Sequence, residues 1–233
     1  MGIARFWRED FMIIGVDEAG RGCIIGPMVI CAAAINPLEE YRMKEMGVKD
    51  SKKLSPNQRE QLYPKVAHMT KYVTVKVSAL ELTEMMGKHN LNEIEAIKIA
   101  QAIDSLNLPK ATVYVDSPDN VPAKFARRIE KYLKHKMKII SANKADDKYL
   151  IVGAASIIAK VTRDREIEKI KQEVGVDFNS GYTSDVITQK VVEEREKYPA
   201  LDKYLRKKWS TLVKEKQRTL GEWEEAPEGR NPE

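Results

Sequence analysis

The chain has 233 residues, 42% of them hydrophobic and 32% charged, and its 40 Lys and Arg outnumber its 35 Asp and Glu. This length suits one buried core, and no apolar run reaches the roughly 18 residues that a membrane-spanning helix needs. Two cysteines, Cys23 and Cys31, exclude a disulfide scaffold and a cysteine-ligated zinc site. With no signal-peptide pattern, these features predict a soluble cytoplasmic protein, and the net charge of +5 is compatible with a polyanionic partner.

The first half of the chain alternates strand and helix signals. Residues 12–16 and Met28–Ile35 are apolar runs typical of strands. A serine–proline pair predicts a helix over residues 55–69, because serine caps helices and proline suits their first turn. Lys71–Val77 alternates polar and apolar residues, which predicts a strand with one covered face. An asparagine cap then predicts a helix over residues 90–106.

The second half alternates more regularly. Short apolar strands are predicted at residues 111–115 and 137–140, and helices at residues 121–135 and 149–174. After Gly181 the chain is predicted to be helical and basic. Strands that first follow one another and later alternate with helices predict an α/β fold with one mixed sheet covered by helices.

Four acidic residues lie at predicted strand ends. Asp17 and Glu18 follow the first apolar run, Asp116 ends the fourth predicted strand, and Asp146 follows the fifth. In open α/β sheets, ligands bind beyond the carboxyl ends of the strands, so these acids are expected at one edge. Neighbouring strand residues point to opposite faces, so the first strand is expected to end or bend at the acidic pair.

Crowded carboxylates favour a divalent cation. Their mutual repulsion raises their pKa values unless cations neutralise them, and hard oxygen ligands select Mg²⁺ or Mn²⁺. Two such ions about 4 Å apart can activate a water and stabilise the leaving oxygen of a phosphodiester. An isolated Asp at a strand end is more often a turn residue or a helix cap, so spacing alone does not single out Asp116 and Asp146.

Short motifs in a fixed order give a family resemblance. The chain resembles ribonuclease HII, in its archaeal form, through the motifs Asp17-Glu18-Ala19-Gly20-Arg21-Gly22, Gly26-Pro27-Met28, Asp50-Ser51-Lys52-Lys53-Leu54, Leu91-Asn92, Lys144-Ala145-Asp146-Asp147, Ala154-Ala155-Ser156-Ile157-Ile158-Ala159-Lys160-Val161-Thr162-Arg163-Asp164 and Gly181-Tyr182. One short motif can be accidental, whereas this ordered series over most of the chain is specific.

The resemblance implies a fold and an activity. The fold would be a ribonuclease H-like mixed five-stranded sheet, with a catalytic core at residues 1–175, a small helical subdomain at 176–215 and a flexible tail at 216–233. The activity would be metal-dependent cleavage of the RNA strand of RNA–DNA hybrids, with incision 5′ of single ribonucleotides in duplex DNA. Catalysis and the binding of Mg²⁺ or Mn²⁺, as two ions with substrate present, are assigned by the resemblance to Asp17, Glu18, Asp116 and Asp146.

The resemblance also implies substrate contacts. Main-chain groups of Gly20, Arg21 and Gly22 would reach the ribose 2′-hydroxyl, which distinguishes RNA from DNA, and Tyr182 would stack on the neighbouring sugar. Candidate phosphate contacts are Lys52, Lys53, Lys144, Lys160 and Arg163. The chain departs from the family pattern at three positions in these motifs, namely Cys23, Asn143 and Thr183.

The C-terminal tail contains a possible partner motif. Gln217, Leu220 and Trp223 have the spacing of a clamp-interaction box, in which a helical turn inserts its apolar and aromatic residues into a pocket of a sliding replication clamp. The alternative is a helix end that packs Leu220 and Trp223 on the body of the protein. A monomer is the default expectation.

Sequence features argue against three other functions. The type 3 relative shares the catalytic core but carries an additional N-terminal domain, for which the sixteen residues before Asp17 leave no room. A non-catalytic hybrid-binding module would lack an essential carboxylate, whereas all four acids are present. A clamp-tethered adaptor would use only the tail and would leave the core motifs unexplained.

Overall fold

Five strands and eight α-helices form the part of the chain that the structure, a computed structural model, describes: residues 12–48 and 54–209. The strands are β1 (Ile13–Ala19), β2 (Met28–Ile35), β3 (Lys71–Val77), β4 (Thr112–Asp116) and β5 (Lys138–Ala142). The helices are α1 (Glu40–Glu45), α2 (Pro56–Met69), α3 (Ala79–Met85), α4 (Leu91–Ser105), α5 (Pro122–Glu130), α6 (Ala145–Lys148), α7 (Leu150–Val174) and α8 (Val186–Glu193). Within these ranges, every helix is too short or too polar to span a bilayer.

The strands form one mixed sheet in the order β3-β2-β1-β4-β5. β2 pairs antiparallel with β1 and with β3, whereas β4 runs parallel to β1 and to β5. The predicted α/β class with a mixed five-stranded sheet is therefore confirmed. The central strand β1 leads directly into the edge at which β4 and β5 also end.

Helices cover both faces of the sheet. Ile14 and Val16 of β1 point to the face covered by α4 and α5, where they join Phe125 in one buried cluster. Gly15 points to the opposite face, and a Cβ atom there would lie 2.3 Å from the Ile151 carbonyl carbon. Glycine at this position therefore lets the backbone of α7 pack directly on β1.

Several predicted elements agree closely with the structure. β2 and β3 have the predicted bounds, and α2 begins at the predicted cap. There the Ser55 hydroxyl accepts from the Gln58 amide at 3.3 Å, and the Gln58 side chain accepts from the Ser55 amide at 2.8 Å. This capping box pairs two backbone donors that would otherwise be unsatisfied at the start of the helix.

The first strand does not end where it was expected to end. β1 continues through both acids to Ala19, because its ladder with β2 continues from Asp17 opposite Cys31 to Ala19 opposite Val29. The expectation of a strand end or bend at the acidic pair was therefore wrong. Helix α5 is also shorter than predicted, since it ends at Glu130.

The C-terminal part of the described chain is less helical than predicted. After α8 it forms 3₁₀ turns at Arg195–Lys197 and Pro199–Tyr204, and Leu205 is extended. The basic stretch that follows is not a helix, because its backbone bonds to the segment after β1: Leu205 bridges Ile25, and the Arg206 amide donates to the Ile24 carbonyl at 3.0 Å. A separate subdomain at residues 176–215 stays a prediction.

Candidate active site

Asp17 and Asp116 come from neighbouring parallel strands. Val16 pairs with Val115, and each acid is the next residue of its strand. The alternation of the strands places both acids on the face that α7 covers, since their predecessors lie in the opposite cluster. Asp17 is buried there and hydrogen-bonds with Ser156 of α7.

Glu18 points to the other face of the sheet, where the charge of Glu95 on α4 has the largest effect of any charge on its pKa. Glu95 is completely buried, and its Oε1 atom has no hydrogen-bond partner among the described residues. The continuous strand therefore separates the two adjacent acids across the sheet edge. Their electrostatic coupling shows that they still share one local environment.

Burial and mutual repulsion raise the pKa values of these acids. Burial, followed by the charges of Glu18 and Asp116, holds the pKa of Asp17 well above its usual range. Burial, followed by the charge of Glu95, raises the pKa of Glu18 to about 8. Burial also raises the pKa of Glu95 to about 7, although Arg21 opposes this shift. The cluster therefore favours the binding of positive charge.

A lysine on α7 partly compensates Asp17. The Lys160 ammonium donates to the Ser156 hydroxyl at 2.8 Å, and both side chains lower the pKa of Asp17 against the larger effect of burial. Lys160, predicted from the resemblance as a phosphate contact, thus lies beside the acidic cluster.

Asp146 approaches the cluster through the backbone of α6. The Ala145 amide donates to Asp116 Oδ1 at 2.6 Å, and the next residue, Asp146, is buried. Lys144, which precedes α6, is exposed and has a positive φ of 53°. The structure thus brings Asp17, Glu18 and Asp116 into one electrostatic cluster, with the backbone of Asp146 next to it.

The donor chemistry of this cluster fits a hard cation. Carboxylate oxygens are the ligands that Mg²⁺ and Mn²⁺ prefer. Within the described residues, no three His, Cys, Asp or Glu side chains are already arranged to hold one ion. Ion binding would therefore require these carboxylates to turn toward each other.

A tight loop, residues 20–22 and called here the glycine loop, directly follows β1. Gly20 has a φ of +78°, and a Cβ there would lie 2.7 Å from the Pro27 carbonyl oxygen and 3.0 Å from Arg163 Nε. Only glycine fits both the conformation and the space. Gly22 is exposed, so its backbone is open to a ligand.

The Arg21 side chain braces the glycine loop against α4. Its Nε donates to Glu95 Oε2 at 2.7 Å, and another nitrogen donates to Asn92 Oδ1 at 2.5 Å. Asn92 in turn donates to Asp119, which also accepts from Arg128 at 3.1 Å. The guanidinium is thus engaged within the protein, whereas the predicted main-chain contacts of Arg21 stay available.

Tyr182 lies beside the glycine loop. It bridges Cys23, and its ring lies 4.0 Å from the position that a Gly22 Cβ would take. The ring is partly exposed, and the buried Arg163 guanidinium lies over it at 5.0 Å. Arg163 also donates to the Ser180 carbonyl. The predicted substrate residues Gly20, Gly22 and Tyr182 therefore lie together, whereas Arg163, predicted as a phosphate contact, is buried against the Tyr182 ring and bonded within the protein.

The side chains of two departures from the family pattern, Cys23 and Asn143, form hydrogen bonds, and the third, Thr183, is bonded through its backbone. Cys23 Sγ accepts from Arg163 at 3.0 Å. Asn143 donates to the Ser117 carbonyl at 2.9 Å and so joins the segments after β4 and β5. The Thr183 carbonyl accepts from Gln189 at 2.7 Å, which ties the loop to α8.

A cleft of about 790 Å³ runs along α7 beside this surface. Three predicted substrate residues line it, Lys160, Arg163 and Tyr182. Its other charged residues are four cations and three acids, namely Arg59, Arg165, Lys169, Lys171, Glu60, Asp164 and Glu168, so cations outnumber acids in the lining. Several cations along an open cleft suit a polyanionic backbone.

Some predicted residues lie outside the described part of the chain. These are Lys52, Lys53, Gln217, Leu220 and Trp223. Their roles stay predictions.

Sequence reasoning missed two residues that organise the site. Glu95 shares a helical face with Ile99 and Ile103 at a spacing of four residues, so an acid within an apolar stripe was a usable signal. Arg206 donates to the carbonyls of Gly20, Arg21 and Gly26. It stands in a largely basic stretch, residues 203–208, in which nothing distinguishes it from its neighbours.

Comparisons with known proteins show one family over most of the chain. The family model described as Ribonuclease HII matches residues 14–212. The Ribonuclease HII of Pyrococcus horikoshii is 46% identical over 208 residues, which cover 88% of this chain and 93% of that protein. The crystal structure of the ribonuclease H2 from the same organism matches with a TM-score of 0.81 at 45% identity, covering 89% of this chain and 98% of that one. A PCNA:RNase HII complex from Archaeoglobus fulgidus matches with a TM-score of 0.78 at 40% identity, covering 86% and 96%.

Proposed function

Since this chain belongs to the ribonuclease HII family and is therefore a ribonuclease H, a hydrolase acting on RNA–DNA hybrids, we propose that it also incises duplex DNA 5′ of a single embedded ribonucleotide. The products would carry a 5′-phosphate and a 3′-hydroxyl. In the cell this activity would serve ribonucleotide and primer removal.

One observation carries the proposal: the glycine loop begins immediately after the strand that holds Asp17 and Glu18. A ribose whose 2′-hydroxyl contacts the loop would lie next to the acidic cluster, because Gly20 is only two residues after Glu18. Recognition of a single ribonucleotide and cleavage beside it would then use adjacent parts of one segment. Tyr182, which lies beside Gly22, supports this assignment because its partly exposed ring can stack on the neighbouring sugar.

We assign the metal site to Asp17, Glu18, Asp116 and Asp146, holding Mg²⁺ or Mn²⁺ and two ions with substrate present. Divalent cations would supply charge stabilisation at the phosphodiester and a more acidic water. Ser156 and Lys160 would orient Asp17 and favour its ionised form against the larger effect of burial, since both lower its pKa. Arg21 would do the same for Glu18, whose pKa its charge lowers. Asp116 is oriented by the Ala145 amide.

A sliding clamp is the proposed protein partner. The Archaeoglobus fulgidus relative was solved in a PCNA:RNase HII complex. The Gln217, Leu220 and Trp223 motif of this chain has the spacing for such a contact, and we propose that it binds the clamp.

Three duplexes test the nuclease proposal: one with a single ribonucleotide in a DNA strand, one continuous RNA–DNA hybrid, and one all-DNA control. Each is incubated with Mg²⁺ or Mn²⁺, and the ends are mapped on a sequencing gel. We expect cleavage of the hybrid and a single cut 5′ of the lone ribonucleotide. Cleavage of the hybrid with an intact single-ribonucleotide duplex would contradict the proposal.

A further inference from the structure

Arg206 is a buried arginine that joins the C-terminal segment to the glycine loop. It has no exposed surface, and its three guanidinium nitrogens each donate to a different backbone carbonyl. The acceptors are the carbonyl oxygens of Gly20 at 2.6 Å, Arg21 at 2.9 Å and Gly26 at 3.0 Å. Arg206 thus hydrogen-bonds to both peptide units of the glycine loop and to the turn that leads into β2.

The hydrogen bonds from Arg206 determine where the amides of the glycine loop point. In a trans peptide unit the N–H and the C=O point in opposite directions. Because the Gly20 and Arg21 carbonyls face Arg206, the amides of Arg21 and Gly22 face away from it. Neither amide has a hydrogen-bond partner among the described residues. Gly22 is exposed on that side, next to the Tyr182 ring.

The setting of Arg206 favours a fixed guanidinium. Its guanidinium carbon Cζ lies 4.8 Å from the centroid of the Trp209 ring, and the Arg206 backbone amide donates to the Ile24 carbonyl at 3.0 Å. A planar fork with donors in fixed directions can serve three carbonyls at once, whereas a lysine ammonium on a flexible stem cannot reproduce that geometry. Because loop carbonyls are its partners, the charge serves loop geometry.

We propose that Arg206 is a positioning residue for ribose recognition: by holding the Gly20 and Arg21 carbonyls, it aims the Arg21 and Gly22 amides at the 2′-hydroxyl oxygen. The proposal rests on the single-ribonucleotide function proposed above. It makes discrimination between ribose and deoxyribose depend on a residue more than 180 positions later in the chain.

The test compares Arg206→Lys with a matched control, Arg195→Lys. Arg195 lies in the same C-terminal part and also donates to a carbonyl, that of Val192 at 3.0 Å, away from the loop. Fluorescence anisotropy in EDTA gives the Kd for an all-DNA duplex and for the same duplex with one ribonucleotide. We expect the ratio of these values to fall about fivefold in Arg206→Lys, the equivalent of one hydrogen bond, and to be unchanged in Arg195→Lys.

The outcomes separate this inference from the function on which it depends. A folded Arg206→Lys protein with the wild-type ratio would overturn the role of Arg206 alone, even if its melting temperature falls. A wild-type ratio of one would overturn ribose recognition by the loop and with it the role of Arg206, whereas the proposed function fails only if the single-ribonucleotide duplex is not cut.

A measurement on the unaltered protein covers the case in which Arg206→Lys does not fold. Hydrogen–deuterium exchange followed by mass spectrometry reports on the peptide that contains residues 20–22. We expect the Arg21 and Gly22 amides to exchange more slowly with the single-ribonucleotide duplex than with the all-DNA duplex. Equal exchange in the two complexes would overturn the inference, because amides aimed at the hydroxyl must be protected by it.

Discussion

Arg21 Nε donates to Glu95 Oε2 at 2.7 Å and so connects two residues that lie 74 positions apart. The Glu95 side chain is fully buried, whereas 31% of the Arg21 side chain is exposed. The pair fixes the glycine loop to α4 and places a cation next to Glu18, whose pKa Arg21 lowers. One ion pair therefore links the glycine loop to the acidic cluster.

We predict that Arg21→Met is more destabilising than Glu95→Gln. The former leaves a buried carboxylate without its cation and should cost about 1–3 kcal/mol, less than a fully buried pair because Arg21 is partly exposed. The double variant should recover part of this loss. Urea unfolding in EDTA measures all three, and strictly additive effects would argue against coupling between the two residues.

Asp116→Asn should lower kcat by at least about 100-fold with little effect on folding, because the amide oxygen can still accept from the Ala145 amide but carries no charge for a cation. Asp147→Asn is the matched control, since this exposed acid lies in α6 next to Asp146. It should keep its activity within about twofold. Steady-state cleavage of the hybrid measures both, and wild-type turnover by Asp116→Asn would remove that residue from the mechanism.

The metal-free protein should become less stable as the pH rises from about 5 to 8.5. The folded-state pKa values of Glu18, about 8, and Glu95, about 7, exceed the usual 4.5, so the folded protein retains protons that the unfolded chain has released. The free energy of unfolding then falls by at most about 1.4 kcal/mol per pH unit for each such proton. Mg²⁺ should restore stability at pH 8.5, and Glu18→Gln should flatten the pH profile. Thermal melts in EDTA decide this; a stability that rises across the range would show that these acids are not protonated.

Tyr182→Ala should weaken binding of the single-ribonucleotide duplex by roughly tenfold, because an aromatic ring stacked on nucleic acid contributes about 1–3 kcal/mol. Tyr182→Phe keeps the ring over Arg163 and should retain most of the affinity. Anisotropy titrations compare the three proteins. Equal affinity for the alanine and phenylalanine variants would exclude stacking as the role of the ring.

Removal of residues 217–233 should abolish clamp binding while cleavage of a short free duplex continues, because the proposed catalytic residues all precede this segment. Leu220→Ala with Trp223→Ala should have the same effect in the full chain, since these side chains would fill the clamp pocket. Isothermal titration calorimetry with the sliding clamp measures binding. Undiminished affinity in the truncated protein would end the proposal.

The sequence predicted the five strands and the position of Asp116 at the end of β4 because these depend on local patterns. Apolar alternation defines β3, and serine before proline defines the start of α2. The sequence also suggested a strand end at the acidic pair, and that was wrong because pairing with β2 extends β1 to Ala19. Pairing of this kind is decided by a partner strand, not by the residues of the strand itself.

By itself, the sequence determined which residue types are present for the proposed metal binding and ribose recognition, and in what order along the chain. Only the tertiary structure decided which groups hold them in place. Glu95 accepts a hydrogen bond from Arg21, Ser156 and Lys160 lie beside Asp17, and Arg206 donates to the carbonyls of the glycine loop. The physical reason is burial. A charged side chain must find a partner when it is removed from water, and the backbone and side-chain groups available to it are set by how distant segments pack.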